Sequence, residues 1–276
     1  MSDFFNLFQY QFFQNAVLAI VLTSIIAAMI GTYIVARKIV FISGGITHAS
    51  FGGIGLAYFL GFNPFLGASL FAIFTGTAIE WMSHRGKVRE DSAIAILWSL
   101  GMALGIIFVF LTPGYAPNLM SFLFGSILSV GTFDLIILTI LFVITTVIFL
   151  FFYRSIVQTA FDAEFAGIMG TKVLFFRYLM SVLIALSIVV SIRVMGIILV
   201  LSIFTIPQSI AMLFANSFKK IIPWAIMWAI AGSLIGLFVA YEMDIPSGAA
   251  IVFILTILYL VVKGMMMIKE RAMKRL

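Results

Sequence analysis

The sequence predicts an all-α fold: a polytopic bundle of about eight or nine membrane-crossing helices, in one domain over residues 1–276. Hydrophobic residues make up 64% of the chain and charged residues only 9%, whereas about a quarter of a soluble globular chain is charged. The apolar runs have the length of a spanning helix, about twenty residues, and lack the short alternating segments of a barrel. The chain has no cysteine, which excludes disulfides and thiolate metal sites.

Nine apolar segments are predicted to be the spans. The fourth ends at Pro113 and Pro117, because proline removes a backbone donor and interrupts a helix. The following stretch 121–130 is too short to cross, and we expect it to form a short helix at the outer face. The predicted spans are residues 15–36, 40–60, 64–82, 92–112, 133–153, 173–192, 195–214, 222–241 and 247–263.

The distribution of basic residues predicts the orientation. Loops on the cytoplasmic side of a membrane are enriched in Lys and Arg. If the N-terminus is outside and the C-terminus inside, every Lys and Arg except Arg193 falls on the inner side. The net charge of +6 is therefore explained by membrane topology. We expect the chain to contact membrane lipid and to bind no nucleic acid.

One span contains an unusual polar segment, GGITHASFGG, at residues 44–53. His48 is the histidine that lies well inside a span, and polar groups in lipid are costly enough to indicate function. Imidazole commonly binds borderline transition metals. Thr47 and Ser50 are the polar neighbours that could join it in a pathway. A packing histidine, hydrogen-bonded to a neighbouring helix, is the alternative.

The loop between the fifth and sixth spans contains a second candidate site, FDAEFAGIMG at residues 161–170. Asp162 and Glu164 suit the first turn of a short helix, where they meet the positive end of its dipole. Gly170 suits the end of that helix. Ala166 and Gly167 belong to a face of small residues that would allow a protein to dock closely, and an ordinary polar loop is the alternative.

Taken together, these segments resemble the permease subunits of bacterial ABC importers for zinc, manganese and iron, the metal-ion ABC-3 family. The resemblance covers nearly the whole chain, in the family's order. It rests on residues 44–64 (GGITHASFGGIGLAYFLGFNP), 119–130 (LMSFLFGSILSV), 161–170, 195–213 (MGIILVLSIFTIPQSIAML) and 241–253 (YEMDIPSGAAIVF).

The resemblance implies an ABC importer type II-like permease in the bacterial cytoplasmic (inner) membrane. It implies a homodimer, or a pair with a paralogous permease, with the pathway at the two-fold axis. Two cytoplasmic ATP-binding subunits would dock on the coupling helix at 161–170 through Asp162, Glu164, Ala166, Gly167 and Gly170. An extracytoplasmic metal-binding protein would deliver the ion.

His48 matches the histidine of the family's pathway motif. That motif usually has an aspartate four residues earlier, where this chain has Gly44. The departure leaves both a two-ligand site and the choice of metal open. We expect a transported divalent ion, zinc or manganese before iron, and no permanently bound cofactor.

Two other transport functions are the alternatives. One is a permease for a metal chelate such as haem, a siderophore or cobalamin, although such permeases usually have ten spans and lack the histidine motif. The other is a secondary carrier, which generally has an inverted repeat and midplane charges. The sequence contains no GxxxxGK[ST] loop, so we expect ATP hydrolysis on a separate subunit and no enzymatic activity in this chain.

Overall fold

The computed structural model describes residues 7–113 and 127–273, with the side chains of 270, 272 and 273 left out. Helices cover nearly all of these residues, and no strand occurs among them. Two short 3-10 helices, Leu7–Gln9 and Ile127–Ser129, precede long helices. In chain order the α-helices are α1 (Gln11–Ala36), α2 (Phe41–Leu60), α3 (Pro64–His84), α4 (Glu90–Leu111), α5 (Thr132–Phe161), α6 (Ala163–Ile168), α7 (Val173–Met195), α8 (Ile197–Ile203), α9 (Ile206–Phe214), α10 (Phe218–Met243) and α11 (Ser247–Met273).

The helices confirm the predicted membrane bundle. Within the described residues, eight segments are long and apolar enough to cross a membrane, with α8 and α9 counted together as residues 197–214. Helix α2 is the ninth long helix, and its glycines, Thr47 and His48 lower its hydropathy below that of the others. Part of the predicted outer helix, residues 121–126, lies outside the described residues.

The predicted spans differ from the observed helices at two interruptions. The span predicted at 195–214 is broken at Phe204 and Thr205, directly before the α9 turn that contains Pro207. Proline is compatible with a first helical turn, where its missing N–H is not needed. Helix α5 continues eight residues beyond the predicted end at 153, to Phe161, and is kinked at Phe152.

Asp244 ends α10 in a left-handed conformation, with φ 54°. Aspartate tolerates this conformation better than most residues because its short side chain can hydrogen-bond locally.

Helix α2 packs most extensively against α4, and then against α3. The contact with α4 is close because glycines face the neighbouring backbone. A Cβ atom added at Gly101 would lie 2.5 Å from the Cα of Ala49, and one added at Gly52 would lie 2.8 Å from the carbonyl oxygen of Gly101. Small residues allow helix backbones to approach in this way in membranes. The relative positions of α2 and α4 are therefore tightly fixed.

Helix α7 lies in the interior of the bundle and contacts four other long helices. It packs against α3 and α5, and more lightly against α1 and α2. Its central residues Ile184, Ala185 and Ile188 are fully or almost fully buried. Because α7 begins directly after the loop that contains α6, it connects that loop to the interior of the bundle.

Candidate functional site

Helix α2 presents its polar residues to two different neighbours. Successive residues of a helix are separated by about 100°, so Thr47 and Ser50 share one stripe while His48 lies on another. Thr47 and Ser50 are almost completely buried, and His48 is half-buried. The structure therefore does not bring the three predicted pathway residues together around one point.

His48 faces helix α4. Its imidazole stacks on the indole of Trp98, with ring centroids 4.5 Å apart and planes inclined by 6°. Within the described residues no group of three or more His, Cys, Asp or Glu could hold a metal ion. The side-chain chemistry at His48 is therefore that of one imidazole covered on one face by an aromatic ring.

Ser50 lines a cavity of about 370 Å³ on the other side of α2. The Ser50 hydroxyl donates a 2.7 Å hydrogen bond to the carbonyl of Thr47. The Thr47 hydroxyl is buried and has no hydrogen-bond partner among the described residues. This stripe of α2 thus places the Ser50 side chain at the cavity and the Thr47 hydroxyl in the interior beside it.

An ion pair also lines that cavity. The Asp134 carboxylate, in the first turn of α5, accepts a hydrogen bond from Arg193 near the end of α7. It also accepts one from the backbone N–H of Gly131, at 3.1 Å. The Arg193 guanidinium lies 5.0 Å from the ring centroid of Phe65. Asp134 and Arg193 are both on the side of the bundle predicted to face outward.

A second ionic cluster lies at the opposite end of the bundle. Arg37, which follows α1, pairs with Glu80 of α3 and Glu90 of α4. The side chains of Arg37 and Glu80 are only 7% and 2% exposed. Burial disfavours the charge on Arg37, but the carboxylates of Glu80 and Glu90 outweigh that effect and raise its pKa above the ordinary value. Arg37 thus stays charged and connects the ends of three helices.

The sequence indicates neither this cluster nor Trp98. It places Arg37 in a loop on the inner side and assigns no partner to Glu80. The signal for Glu80 was present, because a carboxylate in an otherwise apolar segment is costly unless it is paired. Trp98 gave no such signal, since an aromatic residue in an apolar span is equally typical of a surface that contacts lipid.

The predicted coupling segment contains a short helix, α6, shorter than the 161–170 expected. Asp162 caps it by accepting a 2.9 Å hydrogen bond from the N–H of Phe165, and Glu164 lies in its first turn. Ala166 is completely buried against the bundle, while Gly167 is exposed and Gly170 adopts φ 81°. The outward surface also carries apolar side chains, of which Ile168 is 83% exposed.

Comparison with known proteins identifies the family of this chain. The ABC 3 transport family matches residues 9–267. The chain is 35% identical over 259 residues to an uncharacterised membrane protein of Synechocystis sp., covering 92% of this chain and 90% of that protein. It is 31% identical over 256 residues to the manganese transport system membrane protein MntC of Listeria monocytogenes, covering 93% and 91%. The solved structure of PsaBC from Streptococcus pneumoniae in complex with Fab superimposes with a TM-score of 0.83 at 29% identity, covering 95% of this chain and 94% of that one.

The bundle of long apolar helices, in which the polar helix α2 packs against α3 and α4, defines a membrane-spanning transporter subunit. More particularly, the chain belongs to the ABC 3 transport family, which matches it over almost its whole length. The resemblance drawn from the sequence motifs is thereby confirmed. A secondary carrier, one of the alternatives, does not fit this family.

Proposed function

We propose that this chain is the permease of an importer that carries a free divalent transition metal inward, with manganese and zinc as the first candidates. The main support for the proposal is His48, a half-buried imidazole in the middle of a glycine-rich helix. Imidazole is a ligand for such metals. Two further findings support it: the relative from Listeria is named as a manganese transport protein, and PsaBC has the same fold.

The proposed assembly places two permease chains side by side, as a homodimer or with a paralogue. Two cytoplasmic ATP-binding subunits would bind the coupling segment, and an extracytoplasmic protein would deliver the metal. The exposed surface of α6 supports the contact with the ATP-binding subunits. Phe165 and Ile168 project outward from this helix, while its Ala166 is buried in the bundle. ATP hydrolysis would then belong to the separate subunits.

The proposed orientation has the N-terminus outside the bacterial cytoplasmic membrane and the C-terminus inside. Each observed ionic contact joins residues that this topology places on the same side. Asp134 and Arg193 pair at the outer side, and Arg37, Glu80 and Glu90 pair at the inner side.

The function is tested by reconstituting the chain in proteoliposomes with an ATP-binding subunit and a metal-binding protein of the same importer. We expect ATP-dependent accumulation of manganese or zinc supplied as the free ion. Iron supplied as a siderophore, haem and cobalamin should not accumulate. Accumulation of a chelate in preference to every free ion, or uptake that does not require ATP, would contradict the proposal.

A further inference from the structure

Trp98 is fixed against His48 by the way in which α2 and α4 pack. The two rings are almost parallel, at 4.5 Å between centroids. Their helices are held in register by the close approach of Gly101 to Ala49, where no side chain separates the two helix backbones. The stack is thus built on the most extensive helix contact of the bundle.

Gly44 provides the space for the indole. It lies one turn before His48, on the same stripe of α2. A Cβ atom added there would lie 3.3 Å from Cζ3 of Trp98 and 3.4 Å from Cδ1 of Leu201, tighter than ordinary van der Waals contact for the first of these. An alanine at position 44 would therefore require the indole to shift by a few tenths of an ångström, and a branched side chain would require a larger shift.

The stack has a consequence for metal contact. The lone pair of a neutral imidazole lies in the plane of the ring, so a metal approaches the ring edge and not its face. An aromatic ring stacked on the face restricts rotation of the imidazole and leaves the edge free. Fixed orientation of a ligating histidine is the usual task of the groups that surround it.

We propose that Trp98 is a positioning residue for metal transport, which sets the plane of the His48 imidazole by stacking on it, and that Gly44 is small in order to seat the indole. The inference rests on the proposed function of His48. It predicts that the stack can be weakened from either side, by removing the aromatic ring or by adding a side chain at position 44.

The test combines a spectroscopic readout with uptake. The chain has only two histidines, so in a His84→Gln background the ring-proton resonances of His48 can be observed alone by NMR. We expect Trp98→Leu to remove the upfield ring-current shift of His48 and to lower metal uptake per molecule about two- to tenfold. That range is the worth of an aromatic pair, about 0.5–1.5 kcal/mol, converted at about 1.4 kcal/mol per tenfold. Trp98→Phe keeps a ring and should retain most of both signals.

A matched control is Trp224→Leu, because Trp224 also stacks, on Phe214 at 5.1 Å, but at a distant site. It should leave the His48 resonances and uptake unchanged. If the Trp98→Leu protein does not fold in sufficient amount, Gly44→Val provides the second test of the positioning role. Its methyl groups push the indole away while both rings remain.

The possible results separate this inference from the proposed function. Displaced His48 resonances with normal uptake, in Trp98→Leu or in Gly44→Val, would overturn the positioning role. Unchanged resonances in these variants would overturn the stack itself. Normal uptake by His48→Ala would instead refute the pathway role of His48 on which the inference rests.

Discussion

Arg37 and Glu80 carry opposite charges where neither is exposed to water. Removing one member of a buried pair leaves the other without its counter-charge, which costs about 3–5 kcal/mol in folded proteins. Arg37→Ala should therefore lower the thermal unfolding temperature and the folded yield of the purified chain, both measurable by size-exclusion chromatography after heating.

The control for this variant is Arg89→Ala. Arg89 pairs with Asp91, but its side chain is 83% exposed, and exposed pairs contribute about 0–1 kcal/mol. Equal stability of Arg37→Ala and Arg89→Ala would show that the inner cluster does not hold the helices together.

Single residues were predictable from the sequence when their chemistry contrasted with their surroundings. His48 was identified because an imidazole in a span is unusual. Trp98 could not be identified, because its role depends on which residue of another helix it meets. The separation of Thr47 and Ser50 from His48 follows from helical geometry. Which helix or cavity each of these side chains faces does not follow from the sequence.

Among the helix contacts, the glycine contact between α2 and α4 should be sensitive to an added side chain, because the two backbones touch there. Gly101→Ala places a methyl group 2.5 Å from the Cα of Ala49, which requires the two helices to separate. We expect a lower folded yield, measured as monodisperse protein per cell. Gly264→Ala is the matched control, because a Cβ there meets nothing within 4 Å, and a comparable loss in this control would contradict the explanation.

The coupling segment allows a separate test. Gly167 is exposed, and a Cβ added there approaches only Val173, at 3.9 Å. Gly167→Trp should therefore leave the membrane bundle folded but block docking of the ATP-binding subunit, so that co-purification and uptake are both lost. Gly167→Ala should preserve both. Normal ATP-driven uptake by Gly167→Trp would contradict the assignment of α6.

The helices were largely predictable, because runs of about twenty apolar residues have few alternatives in a membrane. Their breaks were less so. The span predicted at 195–214 is interrupted before Pro207, at Phe204 and Thr205. The kink at Phe152 has no proline or glycine beside it in the sequence, and no local pattern marked it.

For the whole molecule, orientation in the membrane is directly testable because the natural chain has no cysteine. A cysteine at Asn216, in the exposed turn between α9 and α10, should be labelled only from the cytoplasm. A cysteine at Glu242, exposed near the end of α10, should be labelled only from outside. Labelling in intact cells and in inverted vesicles checks both positions, and the reverse pattern would invert the topology.

The most direct test of the whole account is uptake per molecule by the His48→Ala importer. In proteoliposomes containing equal amounts of folded permease, we predict that ATP-dependent accumulation of manganese or zinc falls several-fold. His48→Asp should recover part of it if its carboxylate reaches the same ion. Unchanged uptake per molecule in His48→Ala, with only the amount of folded protein reduced, would make His48 a packing residue and contradict the proposed pathway.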